Sequence, residues 1–88
     1  MNISNLLIES SVRMPEHPAI RFLERTITYE KLNRQVDRLS HGLVRAGLHP
    51  RDTCVLMMPN SIDWAIVYYA LAKVGAVVLP VNFLYRVG

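Results

Sequence analysis

Three histidines, one cysteine and a scatter of hydroxyls and carboxylates are the side chains from which this 88-residue chain could build a site. Zinc chemistry needs paired ligands a few residues apart, and His17, His41 and His49 share no such spacing with one another or with Cys54. Nucleophilic hydrolysis would want a hydroxyl on a Gly-x-Ser-x-Gly elbow; Ser10, Ser11 and Ser61 lack one. Asp52 and Asp63 have no second carboxylate close in sequence to form an acid–base couple. Gly42, Gly47, Gly75 and Gly88 are too dispersed for a loop whose amides cradle a phosphate. Pro59-Asn60-Ser61 could present a helix N-terminus to an anion, but without a glycine for close approach helix capping is the simpler role. Trp64, Tyr68 and Tyr69 could line an apolar pocket, yet aromatics at helical spacing usually belong to a core. The residues alone assemble no active site: no catalytic, cofactor-binding or metal-binding residue is expected in this chain.

The elements that would carry a site are clearer than the site. Ile3 to about Met14 reads as a helix with Ile3, Leu6, Leu7 and Met14 on one broad face. Pro15 and Pro18 end it, since proline lacks an amide donor and disfavours helix before it. Ala19–Leu23 and Thr26–Thr28 read as a short hairpin, about 19–28, joined at Glu24-Arg25. Leu32, Val36, Leu39, Leu43 and Ala46 then recur every three or four residues, with Arg34, Asp37, Arg38, His41 and Arg45 opposite. That pattern predicts an amphipathic helix over about 29–46, with Thr28 as N-cap, Glu30 in the first turn and Gly47 at the C-terminus.

Residues 53–81 read as one βαβ unit. Thr53–Met58 and Ala76–Val81 are apolar strands, and the helix between them starts at Asn60 or Ser61 and stops before Gly75. Strands without polar alternation belong to a parallel sheet covered on both faces, with a right-handed crossover. The intervening helix is apolar nearly all round, so it should be buried nearly all round.

Composition narrows the function classes. The chain is 51% hydrophobic and 19% charged, which excludes disorder. One cysteine excludes a disulfide-stapled domain, and Cys54 reads as a buried, reduced thiol consistent with a cytoplasmic protein. The net charge of +3 comes from interleaved residues without stacking aromatics, so a solvated helix face is a better reading than nucleic-acid binding. The start has no signal-peptide pattern, and Lys73, Gly75, Pro80 and Asn82 interrupt the stretch from Trp64 to Tyr85, so no transmembrane segment is expected.

Two ordered segments resemble a known family. Ile27-Thr28-Tyr29-Glu30-Lys31-Leu32 resembles the first core motif of adenylate-forming enzymes, with Lys31 where that motif has Glu. Leu71-Ala72-Lys73-Val74-Gly75-Ala76-Val77-Val78-Leu79-Pro80-Val81-Asn82 resembles the second. Between them, Met58-Pro59-Asn60-Ser61 and the aromatic helix complete that family's usual order. Val81-Asn82 lean toward an acyl- or aryl-CoA synthetase over a peptide-synthetase adenylation domain, whose second motif usually has Tyr-Val-Pro.

The resemblance implies an ATP-dependent ligase of fatty acid metabolism: a carboxylate and Mg-ATP give an acyl-adenylate and pyrophosphate, and coenzyme A then displaces AMP. It also implies that the chemistry lies elsewhere. The family's Ser/Thr/Gly-rich phosphate loop, its aromatic-Gly-x-Thr-Glu stretch, its ribose-binding Asp and its mobile Lys have no matching positions in residues 1–88. The expectation is an α/β scaffold, the N-terminal part of a larger layered domain, inactive and binding no cofactor alone. Its partners would be the remainder of the parent enzyme or a second copy through apolar surface. A self-standing α/β interaction module is the alternative.

Overall fold

Prolines, caps and hydrophobic spacing set where each element begins and ends. The computed structural model describes residues 3–59 and 61–81. In order they form α1 (Ile3–Arg13), β1 (Pro18–Phe22), β2 (Arg25–Thr28), α2 (Tyr29–Arg45), β3 (Thr53–Leu56), α3 (Ile62–Val74) and β4 (Val77–Pro80). The architecture is α/β, with an antiparallel hairpin β1-β2 and a parallel pair β3-β4 as two separate sheets.

The hairpin closes one residue earlier than the sequence pattern indicated. Arg25 pairs with Phe22, so the turn is Leu23-Glu24 rather than Glu24-Arg25. Leu23 takes a positive φ of 57°, which the tight turns of twisted hairpins require at their first central residue. A register shift between Pro18 and Ile20 bends β1.

α2 begins as its sequence dictates. Thr28 is extended, and its side chain accepts a hydrogen bond from the Lys31 amide at 3.3 Å. The amides of Tyr29 and Glu30 donate to the carbonyls of His17 and Pro15, each at 3.0 Å. Three of the orphan donors of the first turn are thereby satisfied. At the other end Gly47 has φ 111° and donates to Val44, while Leu48 donates to Leu43. This is a Schellman closure, which favours glycine because the left-handed backbone penalises a Cβ. Ala46 becomes the exposed C-cap instead of the last apolar residue of the helix. Gly42, inside α2, is different: a Cβ there would meet nothing within 4 Å. It weakens the helix by about 1 kcal/mol relative to alanine with no packing reason among the described residues.

Ser61 caps α3, its Oγ accepting from the Trp64 amide at 3.0 Å, while Asn60 lies outside the described residues. Gly75 ends the helix with φ 95°, its amide donating to Ala72 and Leu71 and the Ala76 amide donating to Leu71. The strands pair in parallel with Val55 opposite Leu79 and Cys54 opposite Val78. They are shorter than the apolar runs: β3 stops at Leu56, whose carbonyl takes the last bridging bond from Val81 at 2.9 Å.

The turn into β3 holds strain. Pro50 and Arg51 occupy its centre, the Asp52 amide donates to the His49 carbonyl at 3.1 Å, and the Asp52 carboxylate accepts from the His49 amide at 2.7 Å. Arg51 has φ 73°, the conformation a type II turn demands and L side chains resist. Arg51→Gly should therefore raise stability by about 1 kcal/mol in urea denaturation; a loss of stability would show that the exposed side chain, not the backbone, matters there. The turn is tied to the next strand through Arg51 N–H to the Gly75 carbonyl and Val77 N–H to the Asp52 carbonyl.

The core lies where α1, the hairpin, α2 and α3 meet: Leu7, Ile27, Leu32, Val36, Ile62, Ile66 and Ala70. Among the described residues nine apolar side chains are buried, whereas eleven large ones are exposed. That imbalance leaves much of the βαβ unit without cover among the described residues. Within α3 only Ile62, Ile66, Ala70 and Leu71 are buried, and every other residue but Asp63 is half-buried. Cys54 is likewise half-buried rather than buried. Leu6, expected on the core face of α1, is 51% exposed.

Candidate functional site

The side chains with chemical potential are dispersed. His17 sits in the loop before β1, His41 on α2, and His49 in the turn before β3; all are exposed. The Ser11 hydroxyl donates to the Ile8 carbonyl within α1, and Ser61 is a cap. Asp63 is exposed in the first turn of α3. The described residues bring together no group of three or more His, Cys, Asp or Glu side chains that could hold a metal ion.

The aromatics divide. Trp64 and Tyr68 stack with ring centroids 5.2 Å apart and planes 6° from parallel, on the half-buried flank of α3. Tyr69 meets Tyr68 edge-on at 6.1 Å. It also lines a pocket of about 230 Å³ with Leu6, Leu7, Ala19, Tyr29 and Leu32, so one of the three aromatics takes the pocket role and packs against the core.

One polar contact joins distant parts of the chain. Lys73 Nζ on α3 donates to Asp37 Oδ1 on α2 at 2.8 Å. That hydrogen bond and the ammonium charge hold the Asp37 carboxyl below its ordinary value of 3.8; partial burial opposes the shift and His41, one turn away, adds to it. Asp37 is 47% exposed, so water screens the pair and its contribution is modest. A lowered carboxylate pKa stabilises the fold above the ordinary value and loses that effect as pH falls through the lower, folded value. Lys73→Met should thus be less stable than the parent chain above about pH 4, with the difference closing in stronger acid. Denaturation curves across that range test this, and a pH-independent difference would assign Lys73 to packing alone.

The largest organised feature is a surface. Thr53, Val55, Val77 and Leu79 alternate onto the outer face of the parallel pair, with Val55 58%, Val77 47% and Leu79 49% exposed. Met57 and Val81 extend it at 59% and 40%. Cys54, Leu56 and Val78 make up the inner face. A contiguous exposed apolar face marks an interface.

Both family-like motifs are used for positioning. In the first, Ile27 is buried, Thr28 caps α2, Glu30 lies 3.6 Å from Arg34, and Leu32 is buried. In the second, Leu71 is buried, Lys73 binds Asp37, and Gly75 closes α3; Asn82 lies outside the described residues.

Comparison with known proteins agrees with the motifs. The family model for AMP-binding enzymes matches residues 7–87. The fatty acid–[acyl-carrier-protein] ligase ScoC of Streptomyces coeruleorubidus is 38% identical over 78% of this chain and 13% of its own length. Phosphinothricin tripeptide synthetase PhsC of Streptomyces viridochromogenes is 30% identical over 91% of the chain and 7% of its length. The N-terminal subdomain of Klebsiella oxytoca NpsA superposes with a TM-score of 0.90 at 32% identity, covering 97% of this chain and 22% of that one. The chain belongs to the AMP-binding, adenylate-forming enzyme family. It spans about an eighth or less of the length of these two curated relatives, and the structural neighbour is an N-terminal subdomain. Among the described residues no helix is long and apolar enough to cross a membrane.

Proposed function

We propose that residues 1–88 are scaffold within the large N-terminal domain of an ATP-dependent acyl-CoA synthetase, and that the catalytic, nucleotide-binding and metal-binding residues lie outside them. The observation that carries this is the use of both motifs for capping and packing beside an apolar sheet face that needs a cover. In the parent enzyme a substrate carboxylate oxygen attacks the α-phosphorus of ATP and releases pyrophosphate. The thiol of coenzyme A then attacks the acyl carbonyl and releases AMP. Magnesium would neutralise phosphate charge in that enzyme. The role of these 88 residues is to hold one part of the domain rigid while groups elsewhere position the reactants.

The acyl-CoA reading is supported by Val81-Asn82 and by similarity to a feruloyl-CoA synthase of Amycolatopsis, 36% identical over 78% of this chain. A peptide-synthetase adenylation domain is the second reading, favoured by the similarity to PhsC and NpsA. Fatty acid metabolism and a cytoplasmic location belong to the first.

Purified 88-residue chain should give no ATP–pyrophosphate exchange with any carboxylate; clear exchange would overturn the scaffold reading. Supplying the longer enzyme with ATP, a carboxylate and either coenzyme A or a carrier protein separates the two readings by which thiol is acylated.

A further inference from the structure

The outward side of α2 carries a pattern that neither the core nor the proposed reaction uses. Lys31, Arg34, Arg38 and Arg45 are all exposed and fall at intervals of three, four and seven residues. At 3.6 residues per turn they share an arc of about 60° and a line about 21 Å long. Neutralisation is incomplete. Glu30 lies 3.6 Å from Arg34, and Asp37 is engaged by Lys73 and His41. Lys31, Arg38 and Arg45 have no carboxylate partner among the described residues. Just beside that arc, about 20° beyond Lys31 and between Arg38 and Arg45 in sequence, sits Gly42, exposed, with open space where its Cβ would be. A glycine that weakens its own helix and fills no internal role leaves room for another backbone to approach from outside.

We propose that this face of α2 is a docking surface for an acidic α-helix of a partner protein, which crosses α2 at Gly42 and sets its carboxylates against Lys31, Arg38 and Arg45. The shape argues for a helix. Carboxylates three or four residues apart on a partner helix match a narrow row of cations at the same spacing. A membrane-surface helix would instead insert an apolar face, and in α2 that face, Leu32 and Val36, is buried in the core. Charge complementarity of this kind governs register and association rate and weakens with salt.

The test titrates the full chain into a labelled helical peptide of about 20 residues with Glu at every third or fourth position, and into its Gln counterpart. At low salt the Glu peptide should bind about tenfold or more tightly than the Gln peptide. Arg38→Glu with Arg45→Glu should abolish that preference. Arg13→Glu with Arg21→Glu, the same change of charge elsewhere, should leave it within about twofold. Gly42→Ala should raise Tm by about 4 °C and yet weaken peptide binding severalfold, a combination a merely structural glycine would not give. Equal loss from both charge reversals, or Gly42→Ala that binds as well as the parent, overturns the proposal. So does a chain that binds phosphatidylserine vesicles while ignoring the Glu peptide, which would make the row a membrane contact.

Discussion

Leu32→Ala should remove more than half of the chain's stability at room temperature. Leu32 is 1% exposed and lies at the junction of α2 with the hairpin, α1 and α3. Removing its three terminal carbon atoms loses transfer free energy and leaves a cavity, together about 3 kcal/mol. A chain this short has on the order of 5 kcal/mol of total stability, and among the described residues the cluster around Leu32 has six other buried members. Far-UV circular dichroism and urea denaturation measure the effect. A cost below about 1 kcal/mol would mean that the site collapses around alanine and that the core is looser than its burial indicates. Leu32→Met, which conserves volume, should cost much less.

The second expected result concerns association. The 88-residue chain should self-associate through the outer face of β3 and β4, and Val55→Thr, Val77→Thr and Leu79→Lys together should release monomer. Each of these side chains is about half exposed, and burying one fully is worth roughly 1.5–3 kcal/mol. Losing three partial burials, with a charge placed in the contact, should weaken association by about 3 kcal/mol, or roughly a hundredfold in Kd. Threonine keeps the strand propensity, so the sheet should survive. Sedimentation of parent and variant decides it. A parent chain that is a monodisperse, cooperatively unfolding monomer would favour the self-standing module over the scaffold.

The two variants probe opposite sides of one fact: the inner side of the fold is packed and the outer side of its parallel sheet is not. Apolar runs in β3 and β4 indicate strands that need cover on both faces, more than so short a chain supplies. The structure leaves the outer face open, so Val55, Val77 and Leu79 are exposed, and most of α3 is only half-buried.

Local structure was largely legible. Thr28 and Ser61 each accept a bond from the amide three residues on, so their capping follows from chemistry within one turn. Gly47 and Gly75 end their helices because only glycine tolerates the left-handed backbone readily. The row Leu32, Val36, Leu39 and Leu43 located the buried side of α2 by periodicity alone. The hairpin turn lies one residue before the position the strand pattern indicates, since nothing in Leu23-Glu24 signals a tight turn; cross-strand pairing of Phe22 with Arg25 imposes it. The positive φ of Arg51 was hidden for a similar reason, because a strained turn residue is chosen by the ends it must connect.

Residues 1–88 by themselves determined the helices, the caps, the βαβ order and the two motifs of the adenylate-forming family, because each depends on neighbours within a few positions or on a short pattern. Tertiary structure alone decided which apolar side chains are covered, that Lys73 reaches Asp37 across 36 positions, and that Gly42 shares an open face with a row of cations. Those depend on how helices cross and on which sheet face receives one, and such long-range geometry is set by packing rather than by local spacing.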